Sequence, residues 1–163
     1  MGKVFTPKQR NWKWFANNAA EPTTQLANEI TKPTLADSAI IRLRLTIAET
    51  GDIIGIGALS LQYSPVNETS WAAFGAGQHW NYANGAATEG NTIAGNLVSD
   101  ASALGLYHES GTYTASWAKS AVMESDIAIQ PTANVTANTT YYFRAHVGGL
   151  KSLWIRRRRI RRS

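Results

Sequence analysis

Residues 38–48 read SAIIRLRLTIA, and their alternation constrains this chain more than any other stretch. Ile41, Leu43, Leu45 and Ile47 fall on one side of an extended strand, and Arg42, Arg44 and Thr46 fall on the other. A period of two belongs to a half-buried β-strand, whose side chains point alternately into a core and away from it. The arginines are therefore expected to face solvent or a partner. The same signature returns in KQRNWKWFA at 8–16, with Trp12 and Trp14 on one face, and in ALSLQY at 58–63. It returns again in SWAAF at 70–74, at 103–108, at 112–119, in SDIAIQ at 125–130 and in TYYFRAHV at 140–147. In the last run Tyr141, Phe143, Ala145 and Val147 share a face. Turn-forming clusters separate the runs: ETGD at 49–52, SPVNET at 64–69 and a loop at 131–139. Short strands at even spacing with almost no helical period predict an all-β fold, a single antiparallel β-sandwich of about seven to nine strands. Strand spacing fits an immunoglobulin-like and a jelly-roll-type order equally well.

A chain of 163 residues is long enough for one domain with a real core. Its charge is unevenly placed. All 11 acidic residues and only five of the 16 basic ones lie in 16–150. Residues 1–15 form a basic extension containing the first strand, 16–150 the sandwich, and 151–163 an Arg-rich tail, KSLWIRRRRIRRS. Charge gathered at a terminus reads as an interaction arm, because the fold itself does not require it. Arg156, Arg157, Arg158, Arg159, Arg161 and Arg162 offer bidentate forks for carboxylates or phosphates, and Trp154 adds an apolar anchor. The tail is thus expected to bind an acidic protein surface, a neighbouring subunit or nucleic acid.

The stretch 75–95 is rich in Gly, Asn and Ala and long for a connection. Trp80 and Tyr82 within it are candidates for contact with a partner or for stacking on a glycan. Trp71 and Trp117 sit in predicted strands and are expected in the core. His79, His108 and His146 show no metal-ligand spacing, and no Gly-x-Ser-x-Gly elbow accompanies the HES at 108–110. Glu124 and Asp126 are the one close pair of carboxylates on a strand face. The reading assigns no catalytic residue, no metal and no cofactor. Without cysteine there is neither a disulfide nor a thiolate site. Three N-x-T triplets, at Asn67, Asn134 and Asn138, read as turns. No apolar run reaches membrane-spanning length, and residues 1–15 lack the apolar centre of a secretory signal, so synthesis in the cytoplasm is expected.

LSLQYSPVNETSW at 59–71 and NTTYYFRAHV at 138–147 resemble immunoglobulin-like and fibronectin type III-like modules. Together with the opening WFANNAAEPTTQLANE and the RLRLTI strand, they are similar to modules of phage virion (decoration) proteins and of bacterial surface proteins. The resemblance covers roughly residues 9–148 and implies a tyrosine corner at Tyr141 or Tyr142, whose hydroxyl ties the preceding loop to its strand. It also implies a non-enzymatic structural protein of a virus particle, located in the virion, that decorates or cements the capsid shell. In that role the sandwich packs on other structural subunits and the basic ends reach onto neighbours. The alternatives are a cell-surface or glycan-binding module using Trp80 and Tyr82, and a nucleic-acid-coating protein using the tail.

Overall fold

The computed structural model describes residues 3–35, 38–66 and 68–148, together with the backbone of Arg161–Arg162. In chain order the strands are β1 (Pro7–Ala16), β2 (Thr34–Leu35), β3 (Ile41–Glu49), β4 (Gly55–Ser64), β5 (Ala72–Ala73) and β6 (Trp80–Tyr82). They continue with β7 (Ala103–His108), β8 (Tyr113–Trp117), β9 (Val122–Pro131), β10 (Tyr142–Gly148) and β11 (Arg161–Arg162). There is no helix among the described residues. Two sheets pack face to face as an all-β sandwich.

The first sheet runs β1-β3-β9, and the far edge of β9 is shared by β7 along its first half and β6 along its last residues. The second sheet is centred on β4, flanked by β10 on one side and by β8 and β5 in succession on the other. Pairing in both sheets is antiparallel except between β7 and β9, which run parallel. The backbone of β11 lies parallel to β2 as a separate pair.

Between the sheets lies the core that the alternating runs predicted. Leu43, Leu45 and Ile47 of β3 and Ile127 and Ile129 of β9 face Leu59, Leu61 and Tyr63 of β4, with Trp117 and Trp14 closing the sides. Burying each such aliphatic side chain contributes about 1.5–3 kcal/mol. Tyr141, Phe143, Ala145 and Val147 do share the inward face of their strand. Tyr141 also makes the tie that the resemblance implied: its hydroxyl accepts the Thr136 N–H at 3.0 Å, five residues back along the chain.

Most strand edges are covered. Thr24, Leu26 and Ile30 bond along the open edge of β1, through Ala16 N–H to the Thr24 carbonyl and through the Leu26 and Ile30 N–H groups to Trp14 and Trp12. The edge of β10 meets the Gln9 side chain, which accepts the Ala145 N–H at 2.8 Å. Residues 90–93 pair with the edge of β7. The turns use left-handed backbone where expected; Asn138 sits at φ 56°.

Gly105 is needed where β7 shifts register against β9. A β-carbon there would come within 2.2 Å of the Glu124 carbonyl oxygen, whereas one at Gly95 would meet nothing within 4 Å. Gly105→Ala should therefore destabilise the domain by about 1–3 kcal/mol, the usual cost of forced overpacking. Gly95→Ala should be near neutral. Urea unfolding midpoints of the two variants check this, and equal midpoints would show that the β7–β9 contact is not tight.

Candidate functional site

The largest departure from the sequence expectation is on the outer face of the first sheet. Arg42 and Arg44 do not face solvent; both are fully buried, as are Thr46, Glu124 and Asp126. The register explains why. Arg44 lies opposite Asp126 and Thr46 opposite Glu124, so the polar side of β3 meets a polar side of β9 with the opposite charge.

Arg42 donates from Nε to Asp126 Oδ1 at 2.8 Å and from Nη2 to Asp126 Oδ2. Arg44 donates from Nε to Asp126 Oδ2 at 2.6 Å and from Nη1 to Glu124 Oε1 at 2.8 Å. Its Nη2 reaches Glu21 at 2.8 Å. Burial pulls the Arg44 guanidinium downward, but Asp126, Glu124 and Glu21 together hold it above its ordinary value. Burial raises the Glu124 carboxyl, against the opposing pull of the Val98 and Leu97 N–H groups and Arg44. The ring of Tyr107 stacks on Arg42, with the guanidinium carbon 4.4 Å from its centroid.

This charged layer is roofed by chain. Arg42 donates to the carbonyls of Ala19 and Ala20, each at 3.1 Å, and Arg44 to that of Gly95 at 3.0 Å. Glu124 accepts the N–H groups of Leu97 and Val98 at 2.9 and 3.0 Å. Glu21 accepts that of Ala94 at 3.3 Å, and Glu29 takes both the N–H and the hydroxyl of Ser99. Asn17 accepts the Ala86 N–H, and Glu109 the Gly85 N–H. The second half of the Gly/Asn-rich stretch read as a contact loop, continued by residues 97–99, therefore forms part of the lid of the first sheet. Its small residues let the backbone lie close to the charges.

The aromatic candidates within that stretch are corrected too. Trp80 and Tyr82 form β6, paired with Pro131 and Ile129 of β9. Trp80 is only 1% exposed and packs edge-on against Tyr141 and Phe143. Tyr82 packs against the same core, and its hydroxyl accepts the Leu61 N–H at 2.8 Å; burial raises its phenol. Trp80 therefore offers no face to a sugar, and Tyr82 is half-buried with its hydroxyl committed to β4. Their alternation in HWNY was visible, but three residues among glycines were too short to outweigh the loop signal. Trp154 and Arg156, Arg157, Arg158 and Arg159 lie outside the described residues, as does Asn67; of Arg161 and Arg162 only the backbone is described.

Two of the three histidines are held structurally. His108 stacks on Tyr113, and its Nδ1 is 2.8 Å from Glu89. Burial lowers its basicity and favours the neutral ring, against the opposing pull of Glu89. His79 Nδ1 lies 2.7 Å from the Tyr141 hydroxyl. No group of three or more acidic or histidine side chains is arranged to hold a metal ion among the described residues.

Two surface features remain. At the end formed by the β3–β4 turn, Val4, Ile53, Ile54 and Ile56 are exposed together, Ile54 and Ile56 at 69% each. Lys3 and Lys119 flank them, both bonded to Asp52. On the outer face of the second sheet, Trp71, expected in the core, is instead half-buried, with the Arg144 guanidinium 4.3 Å from its ring centroid. Trp117, by contrast, is wholly buried. No protein-family model, no curated protein and no solved structure matches this chain.

Two predictions follow from the charges. Asp126→Asn leaves two buried guanidinium groups short of their shared carboxylate and should cost about 3–5 kcal/mol, measured by urea unfolding. A loss under 1 kcal/mol would mean the layer is dispensable. The second concerns acid. Burial raises the Glu49 carboxyl, but the N–H groups of Thr6, Gly51, Ile53 and Ser120 more than offset this and hold it below its ordinary value. Lys3 and Lys119 lower Asp52 to about 2. Both contributions are complete above the ordinary carboxylate range, near pH 4, and are lost as pH falls through the lowered folded values. Glu49→Gln should reduce stability at pH 7 and flatten the decline between pH 5 and pH 2; an unchanged decline would remove Glu49 from this role.

Proposed function

We propose that this chain is a non-enzymatic structural module that works by packing against other subunits of an assembly. A virus-particle shell that it decorates or cements is the form favoured by the sequence resemblance and the basic ends. The observation that carries the reading is the exposed apolar cluster of Val4, Ile53, Ile54 and Ile56. Four of the seven large apolar side chains most exposed on the described surface are gathered at one end of the sandwich. Isolated exposed apolar residues are ordinary, but a cluster rimmed by lysines is the composition of an interface.

The fate of the ionisable groups supports the same reading. Catalysis by carboxylates or histidine needs groups that are free to take and give protons at a solvent-reached site. Here Glu21, Glu29, Glu89, Glu109 and Glu124 hold loops to strands, and Asp126 ties β9 to β3. The glycan-binding alternative loses its aromatic platform with the burial of Trp80.

In solution the full chain should associate with rising concentration. Ile54→Ser/Ile56→Ser should remain folded, because both side chains are exposed, yet shift the association midpoint at least tenfold. Light scattering beside thermal unfolding reads both. A wild-type chain and a variant that are monomers to the same concentration, and that fail equally to co-sediment with assembled particles, would overturn the reading.

A further inference from the structure

Three arginines of the described sandwich are nearly or wholly buried, and they are treated differently. Arg42 and Arg44 share Asp126 and reach further acceptors, as above. Arg144, in β10, is 8% exposed and has no carboxylate partner among the described residues. Its Nε donates to Gln62 Oε1 at 2.7 Å, and one face of its guanidinium lies against Trp71. Gln62 is its register partner on β4, so the Arg–Gln bond runs straight across the outer face of the second sheet. Trp71 is fixed in turn by donating Nε1–H to the Glu68 carbonyl at 2.8 Å. The guanidinium is therefore pinned on two sides, and among the described residues no carboxylate on this face balances it. Burial pulls its basicity down, with nothing opposing.

The surroundings are those of a flat contact face. Ser60 and His146 lie opposite each other on β4 and β10, and Thr114 and Ser116 continue the face on β8. Thr114 and Ser116 are exposed; Ser60, Gln62 and His146 are half-buried. Unlike the first sheet, this one carries no roof of loop over these strands among the described residues. A cation that is already ordered loses little rotamer freedom when an anion arrives, and aromatic-backed arginines at the centre of a patch are the usual anchors of protein interfaces.

We infer that the outer face of the second sheet is a second docking surface, whose anchor is Arg144 and whose occupant is a different protein presenting an Asp or Glu side chain. The planar fork of a guanidinium, with no partner for Nη1 and Nη2 among the described residues, matches a carboxylate in bidentate fashion. A second copy of this chain is a poor occupant. Its described carboxylates are held internally, in the loop anchors above and in Asp52 with its two lysines; Glu68 is the exception, and it sits in the same loop as Trp71. The inference rests on the packing role proposed above; Ile56, opposite Ser116, borders the same face, but the anchor is Arg144, and a probe that reads Arg144 alone lets the two fail separately.

The test is an NMR titration of the full chain with N-acetyl-glutamate amide, replacing chloride at constant ionic strength. The Trp71 indole N–H and Arg144 Nε–H signals should shift and saturate in the millimolar range expected for one charge-assisted pair. Arg144→Lys, which keeps the charge but loses the fork, should weaken binding at least tenfold, and Arg144→Gln should abolish it with the remaining spectrum unchanged. Absence of a saturable shift, or equal binding in Arg144→Lys, overturns the inference. Saturation by glucuronate or phosphate but not by the glutamate probe overturns the protein occupant in favour of a sugar acid or a phosphate. These outcomes are read at Arg144 with a small probe and not through association of the chain.

Discussion

The buried pairing of Arg42 and Arg44 with Asp126 and Glu124 is the interaction on which the rest of the structure depends. A sheet that is apolar on one side and charged on the other ordinarily leaves the charged side in water. Here that side is sealed, and an isolated charge in such a place would cost several kcal/mol. The cost is offset because each guanidinium has more than one acceptor and each of the two carboxylates more than one donor. The unused donors and acceptors then reach outward to backbone groups at 19–20 and 95–98. Charge on two strands thereby orders two loops that have little apolar surface of their own.

That arrangement gives the sandwich two unlike exteriors. The first sheet is closed by its loop lid, and its polar chemistry faces inward. Among the described residues no loop covers the outer side of the second sheet, where Trp71 and Gln62 hold Arg144. The apolar end at Val4, Ile53, Ile54 and Ile56 adds a further patch, set by the β3–β4 turn that Glu49 organises through four backbone N–H groups.

Much of the architecture was legible because alternation is a local signal. The strand at 41–49, the inward face of Tyr141 to Val147 and the core positions of Leu59, Leu61 and Trp117 follow directly from residues two apart. What escaped was environment. Alternation shows that Arg42 and Arg44 share a face, and the same is true of Glu124 and Asp126; it does not say that the two faces are one. That depends on β3 and β9 being neighbours in antiparallel register, a pairing across some 80 residues. The matched spacing of RLR and ESD was the available clue. Trp80 was misplaced for a related reason: β6 is three residues long and exists through its partner β9, so its own sequence carries almost no strand signal. The candidate tail could be judged only as a charge pattern.

The most direct measurement of the central claim is amide hydrogen exchange at Leu97 and Val98, the two N–H groups held by the buried Glu124 carboxylate. If the charged layer pins the lid, these amides exchange as slowly as those of Ile127 and Ile129 in β9, although they lie in a segment with no strand of its own. Exchange at the rate of an open loop would show that the lid rests on the sheet without being held by it.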